Sequence, residues 1–166
     1  MPKQLLLVRH AKSDWNDIQL PDFKRPLNSR GKANAPEMAR RLVKKNIIPE
    51  QIVSSSAVRA IATARYFAKE LGIEESAIIQ NREIYEAFPH ELMSIINSLD
   101  NIYSFTALFG HNPGITNLVT SLCNKDLYNI PTCGVALIRF PFDDWKMVSA
   151  GTGELAFYDY PKNEQA

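Results

Sequence analysis

Residues 5–11 read Leu-Leu-Leu-Val-Arg-His-Ala, so four apolar residues are followed at once by an arginine and a histidine. A short continuous apolar run of this kind is typical of a β-strand that is buried on both faces. Arg9 and His10 then fall where such a strand ends. The stretch therefore predicts a central strand that delivers two polar side chains to one edge of a sheet.

Two further apolar runs also end in polar side chains. Ile52-Val53 leads into three serines and then Arg59. The run 105–109 ends at Gly110-His111. Ligands of open α/β sheets bind outside the carboxyl ends of the strands. The three polar clusters are therefore expected to meet at one edge of the sheet.

Apolar residues at helical spacing predict helices between the strands. We expect them over 31–45, 57–71, 89–99 and 115–122, with Ser29 capping the first and Gly72 ending the second. Further strands are expected at 78–79, 135–140, 146–148 and 155–158. This alternation predicts one domain over residues 1–166, an α/β fold built as a three-layer α/β/α sandwich on a mostly parallel central sheet.

Composition narrows the function classes. There are 19 Lys and Arg against 18 Asp and Glu, which gives a net charge of +1 and no field that would attract nucleic acid or an anionic membrane. No apolar stretch approaches the roughly 20 residues that span a bilayer, and the start of the chain lacks the pattern of a signal peptide. The two cysteines are too few for a disulfide framework. We expect a cytoplasmic protein without nucleic-acid or membrane partners; its oligomeric state is not specified.

The residue types at the strand ends favour phosphate chemistry over metal chemistry. A metal site needs three or four converging ligands, whereas the two strand-end histidines have arginines as neighbours. Arginine binds two phosphate oxygens with its planar fork, and neutral imidazole is a nucleophile at pH 7. We therefore predict a phosphate pocket with no metal and no cofactor.

These motifs resemble the histidine phosphatase superfamily, which is phosphoglycerate mutase-like. Leu7-Val8-Arg9-His10-Ala11 is similar to its Arg-His-Gly signature, and Arg-His-Ala-Lys-Ser at 9–13 resembles the SixA-like phosphohistidine phosphatase branch. Three later blocks match the family in its own order: Pro26-Leu27-Asn28-Ser29-Arg30-Gly31, residues 54–64 with Ser-Ser and Arg-Ala, and Gly110-His111-Asn112-Pro113. The resemblance implies the phosphoglycerate mutase-like form of the sandwich.

The resemblance also implies roles for individual residues. His10 is the implied nucleophile that forms a phosphohistidine intermediate. The implied phosphate-binding residues are Arg9, Arg59 and His111, with Asn16 and Ser13 as further substrate contacts. Glu86 is the candidate proton donor, with Glu83 as its substitute. Lys12 stands where mutases carry a glutamate, which weakens the case for mutase activity.

The function that the resemblance implies is a SixA-like protein phosphohistidine phosphatase that needs no metal. Its substrate is then a phosphorylated protein. Two alternatives stay open within the enzyme class: a small-molecule phosphomonoesterase and a residual mutase. A third alternative is a non-catalytic phosphate-binding module.

Overall fold

The apolar run at residues 5–8 forms the middle of strand β1 (Gln4–Arg9), and its four side chains are fully buried. In the computed structural model, which describes residues 1–163, β1 lies inside the sheet between two neighbours. It pairs in parallel with the strand Phe105–Gly110 and antiparallel with the strand Val135–Arg139. Burial on both faces is thus a consequence of its central place.

The sheet has six strands within the described residues, in the order β3-β2-β4-β1-β5-β6. Their bounds are β2 Gln51–Ser54, β3 Ile79–Gln80, β4 Phe105–Gly110, β5 Val135–Arg139 and β6 Glu154–Asp159. Three strand pairs are parallel, and the two pairs that involve β5 are antiparallel. The mostly parallel sheet is confirmed.

Four α-helices cover the two faces of the sheet. They are α1 Ser29–Lys44, α2 Val58–Leu71, α3 Pro89–Asn97 and α4 Gly114–Cys123. Leu6 and Val8 of β1 face a core with α1 and α2, whereas Leu5 and Leu7 face a second core with α3 and α4. Alternate residues of one strand therefore feed two cores, and the three-layer α/β/α sandwich is confirmed. In the part of the chain described here, no helix is both long enough and apolar enough to cross a bilayer.

The local predictions fail in three places. The cap of α1 is Asn28, whose Oδ1 accepts from the Gly31 amide at 2.8 Å, and Ser29 is the first helical residue. The third strand lies one residue later than predicted, at 79–80. Residues 145–147 form a 3₁₀ turn in place of the predicted strand 146–148, because the Asp144 carboxylate accepts from the Lys146 amide at 3.0 Å and turns the chain.

The sheet register brings the polar clusters together. Arg9 lies opposite Gly110 in the β1–β4 pair, and Ser54 lies opposite Phe109 in the β2–β4 pair. The three strands end at the same level and side by side. The residues that follow them must therefore share one edge of the sheet.

Candidate active site

The His10 imidazole is fixed in one tautomer by the main chain. Its Nδ1 lies 2.7 Å from the Ala11 carbonyl oxygen. A carbonyl oxygen only accepts, so Nδ1 carries the proton and donates it. Nε2 consequently keeps its lone pair. The side chain is only 7% exposed, which holds this lone pair in a defined direction.

Arg59 lies directly against that lone pair. Its Nε donates to Nε2 of His10 at 3.3 Å, and the residue is 6% exposed. Arg59 belongs to the first turn of α2, whose start has no side-chain cap, so unpaired amides lie nearby. Thr63 ties this turn to the loop after β1, since its hydroxyl donates to the Arg59 carbonyl and accepts from the Ala11 amide.

His111 forms the opposite wall of the same pocket. The centroids of its ring and the His10 ring are 5.2 Å apart. Its Nε2 lies 2.8 Å from Oγ of Ser55, which also accepts from the Ala57 amide. Donation of the Ser55 hydroxyl to Nε2 places the ring proton on Nδ1, a buried atom that has no hydrogen-bond partner. His111 is thereby able to donate to an anion.

Arg9 completes the cationic side of the pocket. Its Nη1 donates to the Ile130 carbonyl at 2.9 Å, and Asn112 holds the same carbonyl at 2.9 Å. Its Nε is buried without a partner. Within the described residues, Arg9 Nε and His111 Nδ1 are the two buried side-chain nitrogens without a partner, and both belong to this cluster. Buried polar groups are normally paired, so the cluster is short of an acceptor that a bound anion can supply.

Burial and the surrounding cations keep both histidines neutral. Burial lowers the pKa of His10 to about 3, and His111 and Arg59 contribute in the same direction. Burial and then Arg59 lower the pKa of His111 to about 3 as well. Burial and the charge of Arg59 also lower the pKa of the Arg9 guanidinium. At neutral pH the cluster therefore contains neutral imidazoles between guanidinium groups, an arrangement that suits an oxyanion.

Because of these two histidines, we expect the free energy of unfolding to decrease as the pH falls. In the folded chain they take up a proton only near pH 3, whereas in the unfolded chain they do so near about 6.5. Between these values the unfolded chain binds more protons, so the free energy of unfolding decreases as the pH falls, by about 1 kcal/mol per pH unit for each histidine. Urea unfolding of the wild type at several pH values from about 7 to about 5 measures this slope.

The comparison protein for that measurement is His111→Asn, which removes one of the two titrating groups. Its slope is expected to be roughly half that of the wild type, whatever its absolute stability. An unchanged slope in this variant would show that His111 is protonated in the folded chain as readily as in the unfolded chain.

Asp22 is a site residue that the sequence did not reveal. Its main-chain oxygen accepts from Arg59 Nη1 at 2.7 Å, and its carboxylate accepts from Arg59 Nη2 at 3.0 Å. The Tyr85 hydroxyl donates to the same carboxylate at 2.5 Å. Burial opposes ionisation of Asp22, but hydrogen bonds from Tyr85 and Arg25 outweigh it and hold its pKa at about 2. Arg59 thus binds a carboxylate on its outer edge in this structure.

Arg25 was also missed, although it directly precedes the Pro26-Leu27 block. A basic residue in a polar stretch is usually exposed to solvent, yet Arg25 is 6% exposed. Its guanidinium bonds the Asp22 carboxylate at 3.0 Å and lies 3.5 Å from the centre of the Trp15 ring. Its Nη1 also donates to Ser13 Oγ. Arg25 thus links Ser13, Trp15 and Asp22 and contributes to the order of the loop 14–26, together with the bonds of Asp22 to Arg59 and Tyr85.

The other predicted site residues lie outside the central cluster to different degrees. Ser13 is buried and holds Arg25, so it is one contact away from Asp22. Asn16 is exposed, and its amide donates to the Asp14 carboxylate. Glu86 follows Tyr85 in a left-handed conformation with φ 58°, close enough to the Tyr85 hydroxyl to help raise its pKa, which burial and Asp22 bring to about 12. These three roles stay predictions.

Among residues 1–163 no group of three or more His, Cys, Asp or Glu side chains has the arrangement of a metal site. The two cysteines are free, and burial raises the pKa of both thiols, so neither is a competing thiolate nucleophile.

Comparison with known proteins places this geometry in context. The sequence profile described as "Histidine phosphatase superfamily (branch 1)" matches residues 5–98. An uncharacterized chloroplastic protein of Arabidopsis thaliana is 27% identical over 159 residues, which cover 91% of this chain and 72% of that protein.

Solved structures with the same fold include a protein assigned as the phosphohistidine phosphatase SixA of Agrobacterium tumefaciens. It is 26% identical, has a TM-score of 0.81 and matches 97% of this chain and 99% of its own. The protein histidine phosphatase SixA in complex with tungstate is 21% identical with a TM-score of 0.82, covering 98% of this chain and 99% of its own.

Proposed function

The chain belongs to the histidine phosphatase superfamily, and from that membership we propose that it is a phosphatase that transfers a phosphoryl group to Nε2 of His10 and then to water. The observation that carries the proposal is the locked His10 ring, with its proton on Nδ1 toward Ala11 and its lone pair on Nε2 beside Arg59. A binding module has no need of such a lone pair. The proposal includes a metal-independent reaction, since guanidinium groups supply the positive charge.

The first step forms a phosphorus–nitrogen bond. The Nε2 lone pair of His10 attacks phosphorus in line with the leaving atom, whose bond to phosphorus breaks and whose electrons depart with it. Arg9, Arg59 and the Nδ1 proton of His111 stabilise the negative charge on the equatorial oxygens. The two buried nitrogens that lack partners, Arg9 Nε and His111 Nδ1, support this part of the proposal.

The leaving group takes a proton as it departs, and we assign this proton to Glu86. Its place beside the Tyr85 hydroxyl, at the rim of the pocket, supports the assignment. Water then attacks the phosphohistidine and gives a proton to the Glu86 carboxylate, which restores the donor, while the phosphorus–nitrogen bond breaks and inorganic phosphate leaves. His10 recovers its lone pair, and no further reactant is consumed.

We propose a phosphohistidine on a protein as the preferred substrate. The similarity to the protein assigned as SixA, over nearly the whole of both chains, supports this choice. A phosphoramidate also has a good nitrogen leaving group, so a proton donor at the rim suffices. The two free thiols fit the reducing cytoplasm, which we propose as the location.

Substrate profiling tests this proposal. We would measure kcat/KM for a phosphohistidine peptide, p-nitrophenyl phosphate, a phosphosugar and phosphoglycerate, all in the presence of a chelator. The phosphohistidine peptide is expected to exceed the others by about tenfold or more, equivalent to about 1.4 kcal/mol in the barrier. A preference for a phosphosugar would establish the small-molecule phosphomonoesterase, and binding of phosphate without turnover would establish the non-catalytic module.

Asp22 is expected to compete with the phosphoryl group for Arg59. Replacing Asp22 with asparagine keeps a hydrogen-bond acceptor but removes a negative charge beside the pocket. A charge interaction of about 1 kcal/mol near the surface corresponds to about fivefold tighter inhibition by orthovanadate in the variant. Asp17→Asn is the matched control, because Asp17 lies in the same loop and its carboxylate accepts from the Gln19 amide at 3.1 Å. Equal inhibition of Asp22→Asn and the wild type would contradict the competition.

A further inference from the structure

A second, smaller cavity lies beside the catalytic cluster, and cations line it. It measures about 200 Å³. Its charged lining side chains are Lys12, Arg30 and Lys162, with Thr132 and Tyr160 among the uncharged ones. We call this cavity the basic pocket. It is separate from the contacts that hold Asp22, Arg59 and the two strand-end histidines.

The basic pocket shares its walls with the loop that carries the nucleophile. Lys12 is two residues beyond His10, and its carbonyl oxygen accepts from the Asn28 amide at 3.0 Å. The first turn of α1 packs so closely here that a Cβ on Gly31 would lie 2.2 Å from that oxygen. On the other side, the residue after Thr132 donates its amide to the His10 carbonyl at 2.9 Å. The walls of the basic pocket are therefore joined by main-chain hydrogen bonds to the loop that carries His10.

The cations of the basic pocket have no anionic partner in the described part of the chain. None of its three cationic side chains takes part in an ion pair there, whereas Arg41 and Arg65, outside it, each pair with a carboxylate. No carboxylate of residues 1–163 lines the cavity. The first turn of α1 also lacks an acidic residue, so the positive end of this 16-residue helix is not offset. Three cations and a helix start thus converge without a counter-charge from the residues that the structure describes.

The Arg59 side of the catalytic cluster differs from the basic pocket because it carries carboxylates beside its arginines. Asp22 lies on the outer edge of Arg59, and Glu86 lies beside Tyr85. Glu83 lines a larger groove that also includes Tyr85. An anionic group next to the phosphoryl group of a substrate meets carboxylates as well as arginines on that side. On the side of Lys12 it meets cations alone among the described residues. The charge distribution therefore sets the direction in which such a substrate lies.

We propose that the basic pocket is a second binding subsite that receives the carboxylate of an acidic side chain close to the phosphorylated residue of a protein substrate. The inference rests on the proposed phosphatase function and adds a substrate class to it, namely phosphoproteins with an acidic flank. A cavity of about 200 Å³ is smaller than the pockets of drug-sized ligands and suits one anionic group. Arg30 and Lys162 hold that carboxylate from two of the four chain segments that line the cavity.

The test compares two fluorescein-labelled phosphohistidine peptides. The acidic peptide has aspartates beside the phosphohistidine, and the other has asparagines at the same positions. Their dissociation constants are measured by fluorescence anisotropy at low ionic strength, together with kcat/KM. Exposed charge pairs contribute little singly, so we expect the wild type to prefer the acidic peptide by about fivefold to tenfold. The double variant Arg30→Glu/Lys162→Glu is expected to lose this preference. The matched control is Lys32→Glu, an exposed residue of the same helix turn outside the cavity, which keeps it.

Each outcome decides between the two proposals. Equal binding of both peptides by the wild type, or a preference that persists in Arg30→Glu/Lys162→Glu, would overturn the subsite. If Lys32→Glu lost the preference to the same extent, the preference would be a general effect of charge, and the subsite would be overturned as well. Preference without turnover of any phosphorylated compound would retain the subsite and reject the phosphatase. Turnover without a preference for the acidic peptide would retain the phosphatase and reject the subsite.

Discussion

Replacing His10 with alanine is expected to lower kcat for p-nitrophenyl phosphate by at least about 10³-fold, because the variant lacks the atom that accepts the phosphoryl group. The fold is expected to persist, since His10 follows the end of β1 and its side chain bonds only the Ala11 carbonyl and Arg59 among the described residues, while its main-chain bonds are unaffected by the substitution. Steady-state kinetics with a circular dichroism spectrum of each protein make the measurement.

The matched control for the nucleophile is His90→Ala. His90 is the remaining histidine of the chain, lies at the start of α3 and stacks on Phe88 at 6.0 Å between ring centres. Its removal is expected to leave kcat within about twofold of the wild-type value. If His10→Ala retained a large share of the wild-type rate, His10 could not be the phosphoryl acceptor.

Replacing Arg59 with lysine is expected to lower kcat/KM by about 10²- to 10³-fold. Arg59 donates from three nitrogens. Its Nε donates to Nε2 of His10, its Nη1 to the main-chain oxygen of Asp22 and its Nη2 to the Asp22 carboxylate. A lysine has a single ammonium group and cannot reproduce a planar fork, although it keeps the charge. Losing one preorganised charge-stabilising group costs a rate factor of this size in other enzymes.

Arg65→Lys is the control for that experiment, since Arg65 lies on the same helix and pairs with exposed Glu75 at 2.9 Å. Its kcat/KM is expected to stay within about twofold of the wild type. Equal effects at the two positions would mean that Arg59 contributes only to the stability of α2. Near-normal activity of Arg59→Lys would mean that charge alone, without the fork geometry, serves the reaction.

The central part of the fold was predictable because its sequence pattern is strong. A continuous apolar run is compatible with few environments, and β1 lies between two strands as that pattern requires. The helices followed from spacing, and Gly72 ends α2 in the left-handed conformation that glycine adopts easily. The apolar pattern of the sequence did not predict the order of the strands in the sheet, since that order depends on which strands pair across long stretches of chain.

The errors occurred where a side chain determines the backbone locally. The apolar pair Met147-Val148 suggests a strand, but the Asp144 carboxylate caps a turn and the buried Trp145 ring donates to the Tyr103 carbonyl at 3.0 Å. Asn28 and Ser29 are both good helix caps, and sequence alone does not rank them. Local hydrogen bonds therefore overrode a weak hydrophobic pattern.

The site residues likewise fall into a group that the sequence predicted and a group that it did not. Arg9, Arg59 and His111 follow strands that were themselves predictable, so their convergence with His10 could be expected. Asp22 and Arg25 lie in a polar loop with no periodic pattern, and their role depends on where that loop packs against α2. Loop residues of this kind become visible only when the hydrogen-bond partners are known.

The most direct test of the account is to find the phosphoryl group on the enzyme during the first turnover. The wild type is mixed rapidly with a radiolabelled phosphohistidine peptide and quenched in alkali at successive times, and the labelled peptide is mapped by mass spectrometry. We expect an acid-labile, alkali-stable label on His10 that forms and decays as phosphate is released. Turnover with no label on His10 at any time, or with the label on another residue, would contradict it.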